Sequence, residues 1–505
     1  RSVFERTPAG SRSALELGAV LGSSGDDGEW QAACDEAGVD LPRKLSDELL
    51  VSRLLVPDEG GLHFAHAMLR ESVLRKAAEE GRLGACHQNA ARMLEKRYGL
   101  GRRGVAARVG RHLALGGLLD EALPQLLAAA DEAARTLGYA QAHALLGERE
   151  ALLDKLALPD DDPRRAEGWA MKASVLADEG RYDEALMWAG LVEQHEANLR
   201  YEHVLPIALR VSALVALRHA RWDEASGRFA IARDAAERAG NRGCVIECLN
   251  GLADAEYYQG RLARAGEVIS EAFALCQQGG DEAAMAFCLW NSAYVALWSG
   301  NVEQARELLL RQQKLARRAG HRSMIANGRN ALGDVERLGG HYDEAERHYE
   351  EALKLMEAIG SGKRRVVRAN LAVNALSRGR LERAVALVNE LLPEVEKSGE
   401  AVLSSLCHGV LAASAAHARD WVGCDQHFVE LLRPRRESDL VDGEHAVLAE
   451  IVGDHARAQG DDERASAAYD AARDIWEALG RRDRVTSVEK ALGTLGTRPL
   501  RRPQR

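Results

Sequence analysis

The sequence predicts an all-α fold: a right-handed superhelix of stacked helical hairpins, preceded by a small module of different pattern. Three observations carry this. A six-residue motif returns at a constant step through most of the chain, a small residue stands at a fixed distance before it, and the composition favours helix. The motif runs GRYDEA from Gly180, ARWDEA from Ala220, GRLARA from Gly260, GNVEQA from Gly300, GHYDEA from Gly340, GRLERA from Gly379, RDWVGC from Arg419 and GDDERA from Gly460. The starts differ by 40, 40, 40, 40, 39, 40 and 41 residues. Only 11 of 505 residues are Pro and 5% are aromatic, while Ala, Leu, Arg and Glu dominate, so β-rich folds are disfavoured.

Each repeat reads as two antiparallel helices. Twelve residues before the motif's last residue stands a small side chain: Ala173, Ala213, Ala253, Ala293, Gly333, Ala372, Ala412 and Gly453. Four residues after it stands a bulky one in most repeats: Phe229, Ile269, Leu309, Tyr349, Val388, Phe428 and Tyr469. Small against large lets the two helices cross closely. Gly240, Gly280, Gly320, Gly360, Gly399 and Gly480 supply the left-handed stop of the second helix. One hairpin cannot cover its own apolar stripe, so the hairpins must stack, and stacking coils them around a concave face.

The flanks differ. GGLLDEA from Gly116, with Gly110 twelve residues before Ala122, reads as an isolated earlier hairpin, followed by one more helix from about Tyr139 to Leu156. Pro159 and Asp160-Asp161-Asp162-Pro163 read as a linker. The predicted organisation is a module over 1–100, a short helical array and linker over 101–165, eight repeats over 166–480, and a capping helix with a basic tail over 481–505. Val485, Val488, Leu492 and Leu495 form the cap's apolar stripe, and RPLRRPQR is expected to be disordered. In the first hundred residues, helices are predicted at 11–22, 28–37 and 42–53. A hairpin then turns through Pro57-Asp58-Glu59-Gly60-Gly61, and helices follow at 66–79 and 82–97. Three helices and a hairpin predict a winged helix.

Charge and cysteines bound the setting. Lys plus Arg number 67 against 77 Asp plus Glu, for a net charge of −10, and 46% hydrophobic residues suffice for a core. No run approaches the roughly 18 uninterrupted apolar residues of a membrane span, and no leader pattern is present, so the expectation is a cytoplasmic chain with no membrane partner. It begins at Arg1 rather than Met, which leads us to expect a fragment or a processed piece. The cysteines show no Cys-x-x-Cys pair. Cys244 and Cys248 lie one turn apart with nothing to complete a metal tetrahedron, and all eight are expected to be small buried hydrophobes.

Ala331-Leu332-Gly333, Tyr342, Ala345, Tyr349 and Ala352-Leu353 closely resemble the tetratricopeptide repeat consensus, and the resemblance extends over about 166–480. The family's minimal repeat is about 34 residues. A period of 40 resembles the longer-helix variety of bacterial signalling ATPases and regulators. The string LHFAHAMLRESVLRKAAEE, followed by ACHQNAARMLEKRY, resembles the segment after the nucleotide-binding core of STAND-class signal-transduction ATPases, which include regulators similar to the maltose-regulon activator and fusions to serine/threonine kinases. That resemblance implies a winged helix relaying nucleotide state to the repeats, with the phosphate loop upstream.

Within the chain, catalytic and cofactor motifs are expected to be absent. Gly99-x-Gly101-x-x-Gly104 lacks a flanking strand, and Gly360-Ser361-Gly362-Lys363 has Glu357 where a phosphate loop needs Gly, so it reads as an inter-repeat turn. The histidine pairs 63/66, 341/348 and 408/417 lack metal-site spacing, and no nucleophile elbow occurs. The expectation is a non-enzyme with no cofactor and no metal. DNA binding through a winged helix is a rival reading. The helix concerned holds Arg43, Lys44, Asp47, Glu48 and Arg53, close to charge balance, which disfavours nucleic acid.

The groove offers the candidate site. Implied by the resemblance, positions 18, 15, 11, 8 and 7 residues before the motif's last residue line the concave face. They read Arg210 and Arg218, then Glu247, Asn250, Asp254, Tyr257 and Tyr258, then Phe287, Trp290, Tyr294, Leu297 and Trp298, then Asn327, Asn330, Asp334 and Arg337. Outer repeats place Ala170, Ala369, Val373, Gly409 and Ala413 there. Six aromatics in two adjacent repeats, mixed with amides, suit a protein or peptide partner or a small effector. The alternative is that long helices bury these side chains against their neighbours. The function predicted is a non-catalytic binding scaffold, the sensor arm of a larger signalling protein; a DNA-binding regulator and a plain oligomerisation scaffold are the alternatives.

Overall fold

The computed structural model describes residues 11–22, 27–51, 53–58, 61–136 and 138–496. The chain forms two units, Arg1–Met171 and Lys172–Arg505. In the first, helices Arg12–Leu21, Asp27–Glu36 and Arg43–Val51 precede a two-stranded antiparallel hairpin, β1 Leu55–Asp58 and β2 Gly61–Phe64, paired with Leu55 opposite Phe64. The centre of the predicted turn, Glu59 and Gly60, lies outside the described residues. Helices Ala67–Glu79, Leu83–Tyr98, Val105–Leu115, Leu119–Arg135 and Tyr139–Lys155 follow, close to their predicted spans. Trp30 fixes the first two helices: its indole N–H donates to the Ala14 carbonyl at 2.7 Å, and Gly18 lies flat against its ring. Glu16 and Glu29, both buried, receive Arg82 and Arg108. Gly110 packs on Leu126, the small-against-large contact expected of the early hairpin.

Eight hairpins then follow: Pro163–Glu179 with Tyr182–Glu193, Leu205–Arg218 with Trp222–Arg238, Arg242–Tyr258 with Leu262–Gly279, Glu282–Trp298 with Val302–Arg318, Arg322–Leu338 with Tyr342–Ala358, Arg364–Ser377 with Leu381–Ser398, Ala401–Ala418 with Trp421–Leu431, and Gly443–Gln459 with Asp462–Ala478. Helix Arg482–Leu492 caps the last, with Val488 buried and Val485, Leu492 and Leu495 packed beside it. Residues 497–505, which include the expected disordered tail, lie outside the described residues.

The inner packing follows the predicted rule. A Cβ on Gly333 would stand 2.5 Å from the Tyr349 ring, and one on Gly453 2.8 Å from Tyr469, so each glycine makes room for its own repeat's aromatic ring. The predicted helix stops all take positive φ, from Gly320 at 65° to Gly280 and Gly480 at 70°. At the turn between the two helices of a hairpin, six repeats use a left-handed glycine, whereas Ala220 and Arg419 are held at φ 59° and 64°. The same turn is thus imposed on residues that oppose it.

From the second repeat onward, first helices of adjacent repeats touch one another directly, while second helices stand farther apart, so the stack curves with its first helices inside. Helix Ala401–Ala418 is long and apolar enough, by length and mean hydropathy of 1.3, to cross a membrane. It is nonetheless packed in this stack, with Leu403, Cys407, Val410, Ala412 and Ala413 buried.

The regular step breaks in the first repeat, where the short second helix Tyr182–Glu193 runs into a 3-10 turn at Leu199–Tyr201, and again in the seventh. In the seventh repeat the second helix is short, the helix Arg433–Ser438 follows, and Asp439 at φ 53° takes the place of the stopping glycine. The chain then runs inward through Leu440, Val441 and Asp442, all at most 7% exposed.

Candidate binding groove

The inner face of the second unit divides into a filled part and an open part. The filled part is made where residues 440–445 meet the third, fourth and fifth repeats. The Val441 N–H donates to the Tyr258 carbonyl at 2.7 Å, Leu440 joins the core of the second and third repeats, and Val441 packs with Leu262 and Trp298. Gly443 lies on the Trp298 indole so closely that a Cβ would come within 2.1 Å. Trp298 also faces Trp476 with ring centres 6.2 Å apart, and its carbonyl accepts from Arg481 at 3.4 Å. Arg337 pairs with Glu444, whose carboxyl is pushed up to about 7 by burial against the pull of Arg337. Asp334 receives the hydroxyls of Tyr294 and Tyr349, each at 2.7 Å, and Arg337 donates to the Tyr349 hydroxyl at 3.3 Å.

Several side chains expected on the groove surface are therefore inside the protein. Asn250, Trp298, Asn327, Asn330, Asp334 and Arg337 are each at most 5% exposed. Asn250 donates to the Ile246 carbonyl and accepts from Asn291; Asn327 donates to the Met324 sulfur; Asn330 accepts from Asn370 at 3.1 Å. Their amides are spent inside the protein, on their own helix (Asn250 to Ile246, Asn327 to Met324) or on the next (Asn250 from Asn291, Asn330 from Asn370), the burial that the sequence left standing as the alternative. Tyr257 and Tyr258 are half-buried, Tyr258 stacked on Trp222 at 4.9 Å and Tyr257 edge-on to Tyr258.

The open part keeps Arg210, Arg218, Asp254, Phe287 and Trp290, and adds two groups that were not singled out, Asp178 and Lys363. Arg210 is bound to Glu247 at 2.9 Å and Ser174 at 2.8 Å. Phe287, Trp290 and Tyr294 run along one helix, with centroid spacings of 5.6 and 5.2 Å. The Lys363 ammonium stands 5.9 Å from the centre of the Trp290 ring. Asp178 and Lys363 are exposed. Asp254 is pushed up to about 6 by enclosure, which Arg218 and Lys363 oppose. Asp178 sits at the register of Arg218, seven residues before the motif's last residue in its own repeat, so the ruler held the signal for it. Lys363 lies off that register, in the turn before its helix, and no spacing rule reaches it.

Among the described residues no group of three metal-ligating side chains occurs. All eight cysteines are buried and unbridged; Cys276 and Cys288 approach to 4.0 Å between sulfurs, as do Cys244 and Cys248.

Residues 285–358 match the tetratricopeptide repeat family model. Those residues span most of the fourth hairpin and the whole of the fifth, and these two hairpins match tetratricopeptide repeats. Among solved structures, a Rap protein complexed with Competence and Sporulation Factor is similar over 71% of this chain and 99% of its own, with 16% identity and a TM-score of 0.57. A signal transduction ATPase with numerous domains and a tetratricopeptide repeat sensor, from Pyrococcus horikoshii, is similar over 90% of this chain at 15% identity, TM-score 0.57; the chain spans 66% of that protein. NprR in complex with its cognate peptide NprX is similar over 70% of this chain and 99% of its own, with 13% identity and a TM-score of 0.50. At these identities the likeness is one of fold. No curated protein matches the sequence.

Proposed function

We propose that the chain is a binding scaffold, the sensor arm of a larger signalling protein, and that the open part of its groove takes a peptide or an extended segment of a protein partner. The observation that carries this is the contrast along the inner face. Ala170, Ala369, Val373 and Ala413 suffice for stacking in outer repeats, whereas the second to fourth repeats present ionised and aromatic side chains at the equivalent positions. Stacking does not need them, and large amphipathic rings on a curved wall are what peptide recognition uses. Support from comparison comes from the Rap and NprR structures, solved with a factor and a peptide, and from the STAND protein, whose repeats are named a sensor.

In the larger protein, occupancy of the groove would shift the equilibrium between two coil geometries and so bias the attached effector. The role is binding rather than turnover, in a cytoplasmic setting. The test is a pull-down or calorimetric titration against the chain's partner with Phe287 and Trp290 replaced by Ala. Loss of at least about 2 kcal/mol of binding is expected for ring truncation at a hot spot. Unchanged affinity with unchanged helicity removes the groove as the site.

A further inference from the structure

A cavity of about 350 Å³ opens between the second helix of the fourth repeat and the first helix of the fifth. Leu310, Gln313 and three cations line it from Val302–Arg318, and Arg329 and Leu332 from Arg322–Leu338. None of these residues stands at a groove position, so the cavity is a feature separate from the proposed peptide site.

The floor is built in advance of any ligand. Gln313 is buried and donates to the Ile325 carbonyl at 2.8 Å and to Gln312 Oε1 at 3.2 Å. Gln312 in turn donates to the Met324 carbonyl at 2.8 Å, and the two amides lie against Gly328, where a Cβ would find no room. Leu332 is buried in the core that the fourth and fifth repeats share. Leu310, by contrast, is 57% exposed, an apolar side chain left open at the mouth.

The charges around the mouth do not balance. Arg318 is paired with Glu282, and Arg329 with Glu351 at 3.1 Å, with His348 Nδ1 3.3 Å from its guanidinium. Lys314 and Arg317 are exposed and make no side-chain hydrogen bond or ion pair with any described residue. Leu310, Lys314 and Arg317 follow one another at four and then three residues, so they share one face of their helix. An inorganic anion would meet the two free cations and leave Leu310 uncovered, while a neutral apolar molecule would leave the cations unused. An amphiphile with a single anionic head serves both. The volume lies at the lower end of the about 300–1,000 Å³ of small-molecule sites, which suits a compact ligand rather than a length of chain.

We propose that this cavity binds a free medium-chain carboxylate, its head between Lys314 and Arg317 and its alkyl body on Leu310 and Leu332. The site is assembled from two successive repeats, and it goes beyond the peptide groove in both place and ligand.

The test titrates the full chain by calorimetry with octanoate, octanamide and butyrate, and measures cosedimentation with phosphatidylglycerol vesicles. Octanoate is expected to bind about tenfold tighter than octanamide, which lacks the charge, and about tenfold tighter than butyrate, which lacks four methylenes. Lys314→Gln and Arg317→Gln should each weaken octanoate by about three- to fivefold, the range of an exposed ion pair, with octanamide unchanged. Leu310→Gln should weaken both eight-carbon ligands. All three side chains are exposed, so the fold tolerates the changes, and circular dichroism checks it. Octanamide binding as tightly as octanoate, octanoate binding indifferent to all three substitutions, or no octanoate binding overturns the proposal. Binding to the vesicles without binding of free octanoate also overturns it and assigns the basic face to a membrane surface.

Discussion

Gly443→Ala tests whether the array closes on itself. Residue 443 opens the first helix of the eighth repeat and takes no left-handed φ, so alanine is compatible with its backbone. The obstacle is Trp298, whose ring would lie 2.1 Å from the new Cβ, against ordinary contact beyond about 3.4 Å. Trp298 is 3% exposed and backed by Trp476 and Arg481, so it cannot swing away. The segment carrying Gly443 must retreat instead, and the Val441-to-Tyr258 hydrogen bond and the burial of Leu440 are lost with it. Overpacking of this kind costs about 1–3 kcal/mol. If the cost falls on closure, hydrogen exchange at the Val441 amide should accelerate by about 5- to 150-fold, since 1.4 kcal/mol is tenfold. Gly266→Ala is the control: its nearest neighbour is Val295 at 3.9 Å, and added helix propensity should stabilise by about 0.5–1 kcal/mol. Exchange at Val441 within twofold of the parent protein would refute the closure.

Two further outcomes follow from other contacts. Arg419→Gly and Ala220→Gly relieve left-handed backbone at exposed and buried turns respectively, and each should raise stability by about 1 kcal/mol in urea unfolding; a fall for Arg419→Gly, where no packing is lost, contradicts the strain argument. In the first unit, His87 and His112 share a hydrogen bond of 2.9 Å between Nδ1 atoms; burial first, then Arg70, lowers His87 to about 4, and burial first, then His87, Arg108 and Arg70, lowers His112 to about 4 with Glu29 opposing. A depressed histidine means that the unfolded chain binds more protons between about pH 6.5 and 4. Stability of this unit is therefore complete above 6.5 and is lost as pH falls toward 4, which a pH series of thermal melts checks and which His87→Phe should flatten.

Much of the fold was legible because its causes are local. Gly333 and Tyr349 lie sixteen residues apart in sequence, and their complementarity can be seen without any structure. The groove was legible only as a set of positions. By register Arg218 and Asp254 take the same positions in their repeats as Trp298 and Asp334, and no local pattern separates a side chain that faces open space from one that the same chain covers. The histidines show the same limit: neighbours in sequence were weighed, whereas the contacts formed are His87 with His112, His408 with His427 and His417 with His455.

The sequence by itself determined the hairpins, their step, their stops and the small-into-large crossing, because each depends on residues within one repeat or its neighbour. Only the tertiary structure decided where the coil returns on itself. A small rotation per repeat accumulates until residues 440–445 reach Tyr258, Trp298 and Arg337, and that sum over many interfaces, written in no single one of them, closes this part of the groove.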